Sequence, residues 1–379
     1  MTTEPDAAPS RFGRRVIAPH LILAALAVAL SILSLQNSRK FAAISQEDGP
    51  VEWATFFAFA FASILGVAYA EKELRAATRK PVAVIGALGL TAFCVFVAGE
   101  ELSWGQRVFG FRPPDLFLEH NFQQETNLHN FLKNILDTRW VVAFIAILYG
   151  ATLPFVPQRG ILRHLDGVVP LRSFAPWFGL VGLTEIVYPV DLAGESAELG
   201  LGMVFIADLA SRTDRLAIAS LAQALALAIG AVTGPALDSI IEGRGAALVP
   251  LAKTELEALS RDVAKGARRK LDKKRQVHKR VFTARRSAYF KLSKGDFVSL
   301  PADEDARARR RFFVDPWQQP YWIFVQNRGG ETTRWVYSFG PNRKRESELG
   351  FPPKQTGDDV FVPIEARERA ATSSTAIGP

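Results

Sequence analysis

Cysteine is nearly missing from this chain: Cys94 stands alone among 379 residues. One thiol excludes a disulfide framework and a cysteine-built metal site, and its place inside an apolar run makes it helix packing. Histidine is sparse too, with five residues. Of the four behind the first span, His120 falls in a loop, His164 on the predicted inner side and His278 among lysines and arginines, which leaves His129 as the imidazole worth following. Charge is thin over long stretches ahead of Gly234, where apolar runs of about 20 residues recur, the length that carries an α-helix across a bilayer. The first of these, residues 16–35 behind Arg11, Arg14 and Arg15, is too long for a signal-peptide core and lacks a small-residue cleavage site. It reads as a retained first span.

What is present divides the chain into unlike halves. Candidate spans cover residues 16–35, 51–70, 81–99, 140–157, 168–190, 196–210 and 216–234, the sixth being the shortest. Hydrocarbon leaves no unpaired backbone group satisfied, so runs of this length are expected as helices. Arg11, Arg14 and Arg15 precede the first span, Lys72, Arg75, Arg79 and Lys80 follow the second, Arg159 and Arg163 the fourth, and Arg212 and Arg215 the sixth. Every second loop is therefore basic, which predicts the N-terminus inside and the C-terminal domain outside a cytoplasmic membrane. The formal charge of +8 lies mostly behind the spans. Such a basic stretch suits anionic headgroups, nucleic acid, an acidic protein or simple solvation, and charge alone does not choose.

That topology gathers the acidic residues on the outer side. Glu47, Asp48 and Glu52 lie where the second span begins, Glu100 and Glu101 where the third ends, and Asp191, Glu195 and Glu198 between the fifth and sixth, with Glu185 deeper in the fifth. Glu195 and Glu198 are three apart and share a helix face. The outer loop 103–139 supplies His120 and His129, and Asn127 is placed to N-cap a short amphipathic stretch at 131–136. Carboxylates with one imidazole can hold a divalent cation and activate water, and without metal one carboxyl can stay protonated as an acid or proton carrier. The candidate catalytic set is Glu100, Glu101, His129, Glu195 and Glu198. The bland alternative is a set of wet interfacial residues partnered by Arg107 and Arg112.

The strings Glu47-Asp48-Gly49 with Glu52, Gly99-Glu100-Glu101-Leu102-Ser103-Trp104-Gly105-Gln106-Arg107, and Asn121-Phe122-Gln123-Gln124-Glu125 with Thr126-Asn127-Leu128-His129-Asn130 resemble a family of bacterial multi-span membrane proteins over about residues 45–200. The likeness implies membership and brings no activity with it. A fainter likeness, in span number and in the acidic pair followed by a span-entry Glu, is to alkaline ceramidase-type hydrolases. Those close a zinc site with a His-x-x-x-His in the last span, and the seventh span here has no histidine.

Behind Gly234 the sequence predicts an amphipathic helix that continues as a basic helix to about Leu292, a stalk. The period then changes to strands: 321–326 and 334–339 around an Asn327-Arg328-Gly329-Gly330 turn, with 360–364 as a third. Phe312-Phe313-Val314-Asp315-Pro316-Trp317-Gln318-Gln319-Pro320-Tyr321, Tyr337-Ser338-Phe339-Gly340-Pro341-Asn342 and Gly357-Asp358-Asp359-Val360 resemble the C-terminal part of the major pseudopilin of type II secretion. That resemblance implies a small antiparallel sheet on a helix and a calcium site, here Ser338, Asn342, Asp358 and Asp359. Asn342 replaces an Asp of the family, and Arg343, Lys344 and Arg345 enter the loop, changes that weaken a calcium site. Asp315-Pro316-Trp317 is expected as a tight turn with a buried indole. The leader and early Glu of pilins are missing, so the chain is not expected to be a pilus subunit.

The expected fold is mainly α and membrane-embedded, with about seven transmembrane helices, then a long basic helix and a small antiparallel β domain of pseudopilin-like type. Its parts are a cytoplasmic tail (1–15), the spans (16–234), the helical stalk (235–295), the α+β domain (296–366) and a disordered tail (367–379). The leading role is an envelope membrane protein whose outer module binds another envelope protein. The alternative is a membrane-embedded hydrolase or transferase, dependent on a divalent cation, acting on a lipid-linked substrate at the outer leaflet. Proton-relay transport is third. The lipid bilayer is the expected partner, and no specific nucleic acid is.

Overall fold

The computed structural model describes residues 11–46, 49–76, 81–121, 123–132, 137–157, 159, 165, 167–187, 191–213, 215–266, 276–285, 292, 304–328, 331–350 and 352–364. Glu47, Asp48, His164, most of the basic stretch, the Gly329-Gly330 turn and the tail expected to be disordered lie outside these residues. In chain order the helices are α1 (Arg11–Gln36), α2 (Ser38–Ser45), α3 (Pro50–Arg75), α4 (Pro81–Glu101), α5 (Gln106–Phe109), α6 (Asp115–His120), α7 (Leu128–Leu132), α8 (Thr138–Phe144), α9 (Ala175–Val187), α10 (Asp191–Arg212), α11 (Leu216–Gly245) and α12 (Val249–Gly266). Strand β1 (Gln276–Arg280), helices α13 (Val281–Ala284) and α14 (Glu304–Phe312), and strands β2 (Trp322–Arg328), β3 (Glu331–Ser338) and β4 (Val360–Pro363) complete the described elements. The chain forms two compact units, Met1–Phe109 with Thr126–Leu237, and Gly110–Glu125 with Asp238–Pro379.

The first unit is a helix bundle. Among the described residues four helical stretches are long and apolar enough to cross a membrane: Ile17–Gln36, Pro50–Arg75, Pro81–Glu101 and Ala217–Gly266. The other three expected spans are helical but of a different kind. Residues 140–157 follow α8 into π-helical turns over Ile145–Thr152, where Gly150 leaves room for Phe178, whose ring would lie 2.1 Å from an added Cβ. Helix α9 has 13 residues. Helix α10 carries Asp191, Glu195, Glu198, Asp208 and Arg212, too much charge for a lipid-facing helix.

Burial explains α10. From Leu199 to Ala210 nearly every side chain is enclosed, and a helix enclosed on all faces belongs at the centre of a bundle. Phe59, Phe93 and Phe178 surround Phe205 at centroid distances of 6.2, 5.9 and 5.4 Å. Outward, Ile64, Val67, Ile85, Leu88, Val95 and Leu221 are exposed, an apolar girdle of the kind lipid covers. One end of α10 is closed by Asp208 and Arg212: Arg212 Nε meets Asp208 Oδ2 at 2.8 Å, and its other nitrogens donate to the Gly167 and Val169 carbonyls at 2.7 and 2.6 Å. Each of the three guanidinium nitrogens thus donates to an oxygen, as burial demands. The opposite end holds the acidic residues.

The second unit is built on a sheet of order β1-β2-β3-β4, antiparallel throughout. Alternation sends Val277, Ile323, Val325, Val336, Val360 and Val362 to one face, where Ala252, Leu256, Leu259 and Val263 of α12 cover them. The hairpin and the strand near residue 360 fall where the sequence places them. The continuous basic helix does not hold: Gln276–Arg280 is a strand at the edge of the sheet, paired antiparallel with β2 so that Val277 lies opposite Val325. Asp315 makes the expected turn, accepting from the Trp317 and Gln319 amides at 2.9 and 2.8 Å, and the Trp317 indole is buried. Into this unit folds the segment Gly110–Glu125. Leu118 packs with Phe312 and Val314, and Gln124 Nε2 donates to the Leu118 and Phe312 carbonyls at 2.9 and 3.1 Å.

Candidate functional site

Adjacent residues on a helix point about 100° apart, so Glu100 and Glu101 at the end of α4 are sent to different tasks. Glu100 secures the chain that leaves the helix: Oε1 accepts from the Trp104 indole at 2.6 Å and Oε2 from the His129 backbone amide at 2.7 Å. The turn between them is tight, with Ser103, Trp104 and Gly105 at φ of 47°, 55° and 84°. Left-handed backbone at two non-glycine residues in a row is costly, and the Glu100–Trp104 bond holds it. Gln106 Oε1 accepts from the Thr126 amide at 2.7 Å, and Asn127 Oδ1 caps α7 through the Asn130 amide at 3.1 Å. The Glu-Glu-Leu-Ser-Trp-Gly-Gln string and the Asn-Leu-His-Asn string are two sides of one hydrogen-bonded loop.

Glu101 turns into the bundle. Its carboxylate meets those of Glu195 and Glu198, one helix turn of α10, with one oxygen from each within 4.8 Å of the others. Glu101 is buried and the other two are half-buried. The negative charges that bear on Glu101 are those of Glu198, Glu195 and Glu52, the last at the start of α3. Two helices therefore deliver three carboxylates to one point, with the charge of a third helix bearing on it. Carboxylates this close repel strongly in a low-dielectric setting unless a cation or a shared proton lies among them.

Three of the five expected site residues come together and two do not. Glu100 is committed to Trp104 and His129, and His129 contributes its backbone amide to that loop. The group is consequently all-oxygen, which favours a hard divalent cation such as Mg²⁺, Mn²⁺ or Ca²⁺ over zinc.

The four C-terminal residues lie in one hydrogen-bonded loop. Ser338 Oγ donates to Asp315 Oδ2 at 2.5 Å and accepts from the Gly340 amide at 3.0 Å. Asn342 Oδ1 accepts from the Lys344 amide at 2.8 Å, and its Nδ2 donates to Glu242 at 3.2 Å. Asp358 Oδ2 accepts from the Asn342 amide at 2.9 Å, and Asp359 Oδ2 from the Glu346 and Ser347 amides at 3.1 and 2.7 Å. Burial pushes Asp358 up to about 7, with the Glu346 and Glu242 carboxylates adding to it. These bonds brace the loop, while Oδ1 of Asp358 and of Asp359 is buried without a hydrogen-bond partner among the described residues.

Two ionic assemblies escaped the sequence reading. Glu255 of α12, fully buried, receives both Arg309 nitrogens at 3.0 and 3.1 Å and the Tyr321 hydroxyl at 2.7 Å. Asp208 and Arg212 had a visible signal in their spacing of four, which aligns opposite charges on one helix face. No family model, curated protein or solved structure matches the chain.

Proposed function

We propose that this chain is a multi-pass membrane protein that holds a hard divalent cation at Glu101, Glu195 and Glu198 and uses it on a lipid-linked substrate at the outer leaflet, in hydrolysis or group transfer. The convergence of three carboxylates from α4 and α10 at one end of an otherwise apolar bundle carries this reading. A cation there would act as Lewis acid on an ester or phosphate oxygen and would supply a water lowered in pKa as nucleophile. The bundle's contribution is the fixed carboxylate geometry: Glu195 and Glu198 on one helix face, Glu101 opposite, and the Glu100 loop closing the end.

Seven crossings remain part of the proposal, with α10 enclosed at the centre and the π-turned segment and α9 each turning one apolar face outward. The composition of the second unit supports an even number of crossings between residues 125 and 238, since Gly110–Glu125 and the chain beyond Asp238 belong to one folded unit. Four crossings satisfy that, and three before them leave the N-terminus on the opposite, cytoplasmic side. The pseudopilin-like sheet would then serve as an outward interaction module for another envelope protein, which is the second role we keep for this chain.

Cation content tests the lead proposal. Full-length protein in lipid nanodiscs, dialysed against Mn²⁺, is expected to retain one ion per chain, and Glu101→Gln or Glu198→Gln to retain none while staying monodisperse. Equal retention by wild type and both variants would sink it.

A further inference from the structure

Beside the three converging carboxylates stands a fourth. Glu185 of α9 is 2% exposed, and among the described residues its Oε1 has no hydrogen-bond partner. Its two oxygens lie 3.8 and 3.9 Å from the position a Cβ would take on Gly194, so the carboxylate rests on the turn of α10 that leads into Glu195 and Glu198. The charges that bear on it belong to Glu198, Arg139 and Asp137. Arg139 is already paired to Asp137 at 2.7 Å. An acceptor oxygen buried without a donor is expensive, and native proteins keep few of them without a use.

Glu185 stands outside the group whose ligand atoms all lie within 4.8 Å. It lies against the Gly194 turn of α10, near enough for the Glu198 charge to bear on it, and so borders the point where the cation would sit. Hard divalent cations in carboxylate sites characteristically keep waters, and outer carboxylates that accept from those waters orient them. We infer that Glu185 accepts a hydrogen bond from a water carried by the cation at Glu101, Glu195 and Glu198, and so positions the water that attacks. This rests on the cation reading above and adds to it the residue that aims the nucleophile. Glu185 is a positioning residue here, and the donor missing from its Oε1 is that water.

The experiment compares wild type, Glu185→Leu and Glu185→Gln as full-length protein in nanodiscs, with Mn²⁺ as the probe. Affinity is read by competition with a chelator and melting temperature with and without saturating Mn²⁺. Glu185→Leu is expected to weaken Mn²⁺ about tenfold, the usual cost of losing an outer-layer partner. The same change removes an unsatisfied buried acceptor, so the metal-free melting temperature is expected to rise while the Mn²⁺-induced increase shrinks. Glu185→Gln keeps an acceptor oxygen and is expected to lie within about threefold of wild type. A residue with only a structural role would lower the melting temperature in both states and leave Mn²⁺ affinity alone, and that pattern overturns the inference. Wild-type affinity in Glu185→Leu, with Glu198→Gln still losing the ion, overturns it while sparing the cation site. Failure of the wild type to bind Mn²⁺ overturns both.

Discussion

Arg212 and Asp208 meet at 2.8 Å one turn apart on α10, with side chains that are 7% and 0% exposed. The pair closes one end of the central helix, and the Gly167 and Val169 carbonyls and the Leu171 amide complete its hydrogen bonds. Tyr69 adds a hydroxyl to Gly167 and a ring face 5.4 Å from the guanidinium carbon. At this end, charge in the bundle serves packing. At the other end three carboxylates of like charge converge within 4.8 Å of one another, and that contrast separates structure from site.

Removing one half of the pair strands the other. Arg212→Leu is expected to destabilise the bundle by about 3–5 kcal/mol, because Asp208 would be left charged and enclosed. Adding Asp208→Leu should restore most of the loss. Thermal unfolding of the purified protein in detergent measures both, and a double variant no better than the single one would show that the carbonyl clasp, not the charge, dominates.

The same reasoning applies to Glu255 and Arg309 in the second unit. Arg309→Met leaves the fully buried Glu255 with the Tyr321 hydroxyl at 2.7 Å and Arg310 Nε at 3.8 Å, and the expected loss is about 3 kcal/mol, the low end for a broken buried pair. Replacing Glu255, Arg309 and Arg310 together by Met is expected to come within about 1 kcal/mol of wild type, since well-packed apolar replacements of buried ion pairs are often neutral. Proteolysis between α12 and β2 reports the outcome locally.

Two buried groups of the second unit make stability depend on pH with opposite signs. His278, stacked on Trp322 at 5.0 Å and hydrogen-bonded to Tyr337, is held down to about 4, by burial first and the Arg345 charge second. Its neutral form belongs to the fold, so its contribution is present above about pH 6.5 and is lost as pH falls towards 4. Asp315 is pushed up to about 7 by burial, against the amides of Gln319 and Trp317 and the Ser338 hydroxyl that favour its charge. Its contribution is full below about pH 4 and is lost as pH rises through 7. Between those limits wild type should gain stability with pH relative to His278→Gln and lose it relative to Asp315→Asn, each by at most about 1.4 kcal/mol per pH unit. The His278 slope should be the smaller, since that ring is partly solvated. Melting temperatures across the range decide it, and two slopes of the same sign would refute the assignment.

Helical character, the hairpin and the acidic end of the bundle were legible in the sequence because each writes a local pattern: apolar length, a Gly-rich turn between aromatic runs, and Glu195 with Glu198 three apart. What escaped depends on distant residues. Gln276–Arg280 is a strand because Trp322–Gln326 offers it an edge, and nothing in a run of lysines and arginines announces that partner. Glu100 and Glu101 are identical as letters, and only the helical step between them sends one to Trp104 and the other to α10. The inclusion of Gly110–Glu125 in the C-terminal unit was equally invisible, since it rests on Leu118 finding Phe312 almost two hundred residues away in sequence.

Sidedness underlies both the proposed cation site and the proposed interaction module. Cys94 is buried and is the sole native cysteine, so engineered cysteines report on a silent background. Glu119→Cys in the inserted segment and Glu331→Cys on β3 replace exposed residues, as does Arg75→Cys at the far end of α3. In spheroplasts treated with a membrane-impermeant maleimide, Cys at 119 and 331 should be modified at once and Cys at 75 only after the membrane is opened. Labelling of 75 before opening, or of 119 and 331 from opposite sides, would contradict the topology and remove the outer leaflet as the place where the carboxylates act.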